Sequence, residues 1–224
     1  MLRVAPVVMA LAVLVSPQGS PDSTAAPTRA GPGAPKLPDS LAGGEQLVVL
    51  ETVRGLIVIR LDETAAPKTA GNFRRLVQQR YFDGSYFHAV YPGFKIHAGD
   101  PNTRNADPAD DGQGGPGYTL PPEIGLRCVR GAVAAARLPD AVNPGRESSG
   151  SQFFVLLADQ PALDRGGYTV FGRVVRGLDV ADAIGRLGSR PDLRRGRAGP
   201  NPEKRALIGR AYLTPLEGLG TAGK

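Results

Sequence analysis

Eight short runs rich in β-branched and aromatic residues, set apart by turn-forming stretches, constrain this fold most. They lie at 47–52, 56–61, 85–90, 93–98, 130–136, 152–157, 169–174 and 206–213. Each has the length of a strand, and the stretches between them are rich in Gly, Pro, Asp and Asn. The first two runs meet across Val53-Arg54-Gly55, where Gly55 can take the positive φ of a bulged hairpin turn. Helical spacing is confined to two segments. Ala66, Ala70, Phe73 and Val77 recur at helical intervals, with Pro67 where a first turn tolerates it. Asp179 reads as the N-cap of a second helix, with Val180, Ile184 and Leu187 as its apolar face. Strands and helices do not alternate as βαβ units do. The pattern predicts an all-β-dominated fold, a closed eight-stranded antiparallel barrel capped by two short α-helices.

Composition narrows the function. Apolar residues make up 41 % of 224, enough for a core, while 30 Gly and 21 Pro exclude a coiled coil. One Cys rules out a disulfide scaffold, and two His argue against a clustered metal site. No cofactor and no metal are expected. The net charge of +6 is unevenly placed: residues 189–205 hold six basic and two acidic side chains, and 1–44 hold three and two. The remaining 18 basic and 17 acidic residues leave the body nearly neutral. An Arg-rich loop at 190–205 offers salt-sensitive attraction to polyanions, not specific nucleic-acid recognition.

Residues 1–25 read as a signal peptide or short membrane-targeting segment. Arg3 precedes a 12-residue apolar run from Val4 to Val15, too short to span a bilayer comfortably. A small-x-small cleavage site falls at Ser23-x-Ala25, and the alternative is an uncleaved anchor, which would be the only membrane contact. Residues 17–44 hold six Pro and five Gly, so 26–44 reads as a flexible linker. The folded domain is expected over 45–216, with a flexible tail at 217–224.

Three stretches carry chemistry: YFDGSYFHAVYPGFKIHAGDP at 81–101, GGPGY at 114–118 with RGAVAAAR at 130–137, and SGSQFFVLLADQPALDRGGYTVFGRVV at 149–175. Together they resemble the cyclophilin family of peptidyl-prolyl cis-trans isomerases, its bacterial members above all. The resemblance runs from about Leu47 to Leu187. It implies a barrel with two helices, an apolar proline pocket and proline-containing polypeptides as partners. Matched by motif, Phe94, Phe154 and Leu163 fall at the proline-pocket positions, and Gln152 at that of a Gln holding substrate backbone. His88 matches the family's His, Tyr168 stands where the family has His or Tyr, and Ala136-Arg137 match the groove floor.

The departures concern catalysis. The family's catalytic Arg follows that His, and here the position is Ala89. Lys95 replaces an apolar residue of the pocket rim, His97 a Gln and Ala98 a Gly. No catalytic residue is therefore assigned, with His97 and Arg137 as candidates. Arg137 reads either as a compensating donor or as a surface ion pair. Lys95 either brings charge to the region or lays its stem over apolar wall. Phe94 and Phe154, taken without the motif, would read as core aromatics.

Other motifs lead nowhere chemical. Asp107, Asp110 and Asp111 lack the alternating ligands of a calcium loop. The glycines at 112–117 do not link a strand to a helix as a phosphate cradle requires. Cys128, beside a strand, reads as a small buried residue. The expectation is an exported, monomeric isomerase (a rotamase) assisting protein folding in the periplasm, cell envelope or outside the cell. Its activity is reduced by Ala89. The alternative is a weakly catalytic module or holding chaperone that binds proline-containing peptides.

Overall fold

A computed structural model describes residues 46–187, 189–192, 197–200 and 206–216. The expected signal segment, linker and C-terminal tail lie outside the described residues.

Nine strands form the main sheet. In chain order they are β1 (Gln46–Thr52), β2 (Gly55–Leu61), β3 (Ser85–Tyr86), β4 (Ala89–Tyr91) and β5 (Lys95–Ala98). After β6 (Thr119–Leu120) come β7 (Ala132–Ala135), β8 (Ser148–Ser149), β9 (Phe153–Leu156) and β10 (Val170–Arg176). The set closes with β11 (Ser189–Asp192), β12 (Arg197–Pro200) and β13 (Leu207–Pro215). The sheet runs β3-β13-β1-β2-β10-β7-β9-β5-β4, antiparallel throughout, while β6-β8 and β11-β12 are separate ribbons.

Eight expected strands became nine because the run at 85–90 divides. Its first half, β3, pairs with β13, and its second half, β4, pairs with β5 at the opposite edge of the sheet. Only Phe87 and His88 lie between them, so the sheet curls strongly until one short segment serves both edges. Phe87 N–H donates to Ala206 O across that corner at 3.1 Å. β3 and β4 are consecutive halves of one run, so that run borders the sheet on both sides, and the fold is mostly β, a strongly curled sheet with few helices.

Helix α1 (Pro67–Gln78) starts with proline at its first turn, as the spacing predicts. Ala66 offers no side-chain cap. Glu123, 54 and 55 positions away, supplies one: its carboxylate accepts from Lys68 N, Thr69 N and Thr69 Oγ1. Helix α3 (Leu178–Gly185) is capped by Gly177, not by Asp179, which sits in the first turn. Gly177 has φ +84°, and a Cβ there would collide with Leu56 O at 1.9 Å. A third helix, α2 (Pro161–Arg165), has five residues and was not expected, being too short to show periodicity. The Arg-rich stretch expected as a loop instead contributes the β11-β12 ribbon, with Asp192 opposite Arg197.

The period of two splits the strands into two apolar layers. Val90, Ile96, Val133, Ala135, Phe153, Val155 and Phe171 face the main core, packed against α1. Phe73 of α1 stacks within 5.0 Å of Phe82, Phe153 and Phe171. Each buried Phe contributes about 1.5–3 kcal/mol by removing its ring from water. The alternate residues, Ala132, Ala134, Phe154, Leu156 and Val170, form a second layer on the other face.

Candidate active site

That second layer gathers half of the site residues singled out in the sequence: Phe94, Ala136, Phe154, Leu163 and Tyr168. Phe94, Leu126, Leu163 and Tyr168 pack against it from loops and from α2. Register sets the pieces side by side: Ala89 lies opposite His97, and His97 opposite Phe154. One row of β4, β5 and β9 therefore reads Ala89–His97–Phe154. The next row reads Tyr91–Lys95–Leu156. His88, buried just before β4, brings its ring to 4.5 Å from that of His97.

Phe154 is the centre. Its ring meets Tyr168 at 5.6 Å and His97 at 6.2 Å, both edge-on. The Lys95 ammonium covers it, with Nζ 4.5 Å from the ring centre. The same Nζ lies 5.3 Å from Phe94 and 5.6 Å from Tyr91. Phe154 is consequently 0 % exposed. Burial among these rings pushes the Lys95 pKa below its ordinary value. Tyr91 was missed in the sequence. A period of two puts Tyr91 on the face of Ala89, but only the β4-β5 register sets it opposite Lys95.

Arg137 occupies the far side of Tyr168, its guanidinium carbon 4.9 Å from that ring centre. Its Nη1 donates to Leu138 O at 2.9 Å and pairs with Asp140 Oδ1 at 2.7 Å, while Nη2 donates to Gly166 O. The side chain is only 4 % exposed. Hydrogen bonds from Arg137 and Arg146 hold the Asp140 carboxyl below the usual range. Arg137 thus ties the loop after β7 to the turn before Tyr168.

Gln152 lies at the margin of the layer, and its Nε2 donates to Gly114 O at 2.7 Å. A Cβ on Gly114 would meet Asp100 Oδ1 at 2.2 Å, which explains a glycine there without any phosphate chemistry. Ala136 has both backbone groups in internal bonds: its N–H donates to Gln152 O, and its carbonyl accepts from Ser149 N. Cys128 packs in the layer near Asp164, and burial first, then that carboxylate, pushes its thiol up to about 12. A thiol so placed is no nucleophile at neutral pH.

Comparison with known proteins places the chain in a family. Residues 47–203 match the family model described as cyclophilin type peptidyl-prolyl cis-trans isomerase/CLD. The chain belongs to the cyclophilin family. It is 35 % identical over 144 residues to peptidyl-prolyl cis-trans isomerase A of Dickeya dadantii, covering 62 % of this chain and 71 % of that one. A probable peptidyl-prolyl cis-trans isomerase of Brucella suis is 37 % identical over 171 residues, covering 74 % and 82 %. The crystal structure of a Cryptosporidium parvum cyclophilin type isomerase, in the presence of the dipeptide Ala-Pro, superposes with a TM-score of 0.63. That pair is 25 % identical and covers 75 % of this chain and 98 % of the other. This cyclophilin is, by class, a peptidyl-prolyl cis-trans isomerase. Its enzyme class and curled-sheet fold agree with the resemblance read from its motifs.

Proposed function

We propose that this cyclophilin takes the proline ring of a polypeptide into the aromatic layer around Phe154 and turns the X-Pro bond slowly. The single observation that carries the reading is the convergence of Phe94, Phe154, Leu163 and Tyr168 in one layer, with Gln152 at its margin. The barrier to be lowered is that of amide resonance, about 18–20 kcal/mol. No nucleophile or acid–base pair is required for it. An apolar seat fixes the ring, polar groups fix the flanking backbone, and a donor stabilises the deconjugated amide.

Slow turnover follows from the row Ala89–His97–Phe154. A methyl group stands where the family resemblance gives an arginine, and Arg137 is engaged by Asp140, Leu138 and Gly166. The same observation favours a second reading, a weakly catalytic module or holding chaperone that retains proline peptides. Export to the periplasm, cell envelope or medium is supported by the charged, apolar and small-residue order of residues 1–25. The clients would then be exported proteins in the course of folding.

The test is isomerisation of a neutral Xaa-Pro peptide by the full chain, followed by exchange NMR, with binding read from shifts of the groove residues. Slow but measurable turnover is expected. Binding without turnover would select the second reading, and absence of both would overturn the site.

A further inference from the structure

We propose that Lys95 makes this cyclophilin select proline peptides bearing a carboxylate on a residue next to the proline. The inference rests on the isomerase reading above and adds the substrate class. Lys95 Nζ lies 4.5 Å over Phe154, 5.3 Å over Phe94 and 5.6 Å over Tyr91. Ring faces attract an ammonium but accept no ordinary hydrogen bond from it, so its N–H donors are left to water. Among the described residues no carboxylate pairs with it.

A proline ring that is to rest on Phe154 needs the face that the ammonium now covers. Lys95 must therefore move off when substrate enters, and the residues flanking the proline decide what receives it. A carboxylate there gives the ammonium a charge-assisted partner at the moment it loses the rings. A neutral flank sends it to water, and a cationic flank repels it. Strand geometry allows the movement, because Lys95 lies one row from Phe154 on the same face, and Ala89 on β4 adds no bulk there.

A neighbouring cleft on this face is rich in arginine. With a volume of about 250 Å3, it runs beside Ala132 and Val170, lined by Arg60, Arg127 and Arg173, with Asp62 its one acidic lining residue. Arg60 and Arg173 stand directly opposite each other in the ladder. An acidic peptide lying across the face would meet positive charge on both sides of the pocket.

The experiment uses the full chain and two sets of capped peptides, with Glu, Ala or Lys immediately before the proline or immediately after it. Exchange NMR gives kcat/KM, and shift perturbation gives binding. In at least one set the Glu peptide should exceed the Ala peptide by roughly tenfold, the lower end for a hydrogen bond to a charged group, and Lys should fall below Ala. Lys95→Met, which conserves volume, should bring the Glu-to-Ala ratio close to one, because a thioether offers a carboxylate no charge-assisted partner. Lys95→Glu should reverse the order in favour of Lys. Equal rates in both sets, or an acidic preference that survives Lys95→Met, would overturn the selection and leave the isomerase reading standing. Failure of every peptide to bind or turn over would overturn both.

Discussion

Lys95 and Arg137 stand at the two ends of one aromatic pair, in the order Lys95–Phe154–Tyr168–Arg137. Both are cations drawn in from water, yet their surroundings differ. Arg137 has a carboxylate, two carbonyls and a ring face, which together satisfy most of its planar fork. Lys95 has ring faces alone, and burial lowers its pKa. A buried charge with fixed protein partners holds a structure in place. One without them is poised to meet a ligand. The comparison assigns stability to the Arg137 end of the groove and recognition to the Lys95 end.

The largest effect should come from adding a donor at the Lys95 end. Ala89→Arg places a guanidinium on the same face, opposite His97. Loss of one preorganised donor costs on the order of 10²–10³ in rate, so kcat/KM on a neutral proline peptide should rise by a comparable factor. Binding should change less, because the donor acts chiefly as conjugation is lost. A fast native enzyme that gains nothing from this change would show that a cation already present, Lys95 first among them, acts as the donor.

At the other end, Arg137→Ala should cost stability. It strips the donor from part-buried Gly166 O, which costs about 1–3 kcal/mol, while exposed Leu138 O turns to water. Thermal unfolding should show a fall on the order of 5 °C, at roughly 2–4 °C per kcal/mol for a domain of this size. Arg137→Lys should recover little, since an ammonium cannot span two carbonyls, Asp140 and a ring in one plane. An unchanged melting point with a tenfold loss in kcat/KM would reverse the roles assigned to the two ends.

This division was partly visible before the structure. The strand runs and the Phe94, Gln152, Phe154 and Tyr168 positions could be read from local pattern and motif, because each depends on neighbours in sequence. The split of 85–90 between two sheet edges could not, since it depends on where the sheet curls back on itself. Nor could the cap on α1, which Glu123 supplies from 54 positions away. Arg137 reads from sequence as either a donor or an ion pair, because its partners Gly166 and Tyr168 lie across a turn. For Lys95 the residue was noticed but not its seat: Tyr91 and Phe154 meet it only through β4-β5-β9 register.

Gln152 probes the ground between the two ends. Its Nε2 bond to Gly114 O ties the glycine loop to the base of β9. Gln152→Ala should weaken peptide binding by about 0.5–1.5 kcal/mol, the net worth of a neutral hydrogen bond. It should also speed amide hydrogen exchange at Gly112 and Gly114, because the loop loses one of its anchors. Weaker binding without faster exchange would place Gln152 on the peptide alone.

The smallest effect is a stability change, and its sign separates the two cations most sharply. Lys95→Met removes a desolvated charge and keeps the stem that covers Phe154. The ring faces return roughly 0.5–2 kcal/mol of the desolvation cost, so the net gain near neutral pH should be only about 1 kcal/mol. The pH dependence gives the cleaner signature. Lys95 has a lower pKa folded than the ordinary 10.5, so between those two values the unfolded chain binds more protons. Stability of the native sequence should therefore rise with pH through that window, relative to Lys95→Met, which lacks the group. Below the folded value both states carry the charge and the full penalty stays. Chemical unfolding of the two proteins at neutral and alkaline pH should thus show the Met variant ahead at neutral pH and the gap closing as pH climbs. A gap that instead favours the native lysine at neutral pH and shrinks in alkali would mean that the three rings hold the ammonium at a profit. Lys95 would then be a structural cation like Arg137, and the contrast between the two ends of the groove would fail.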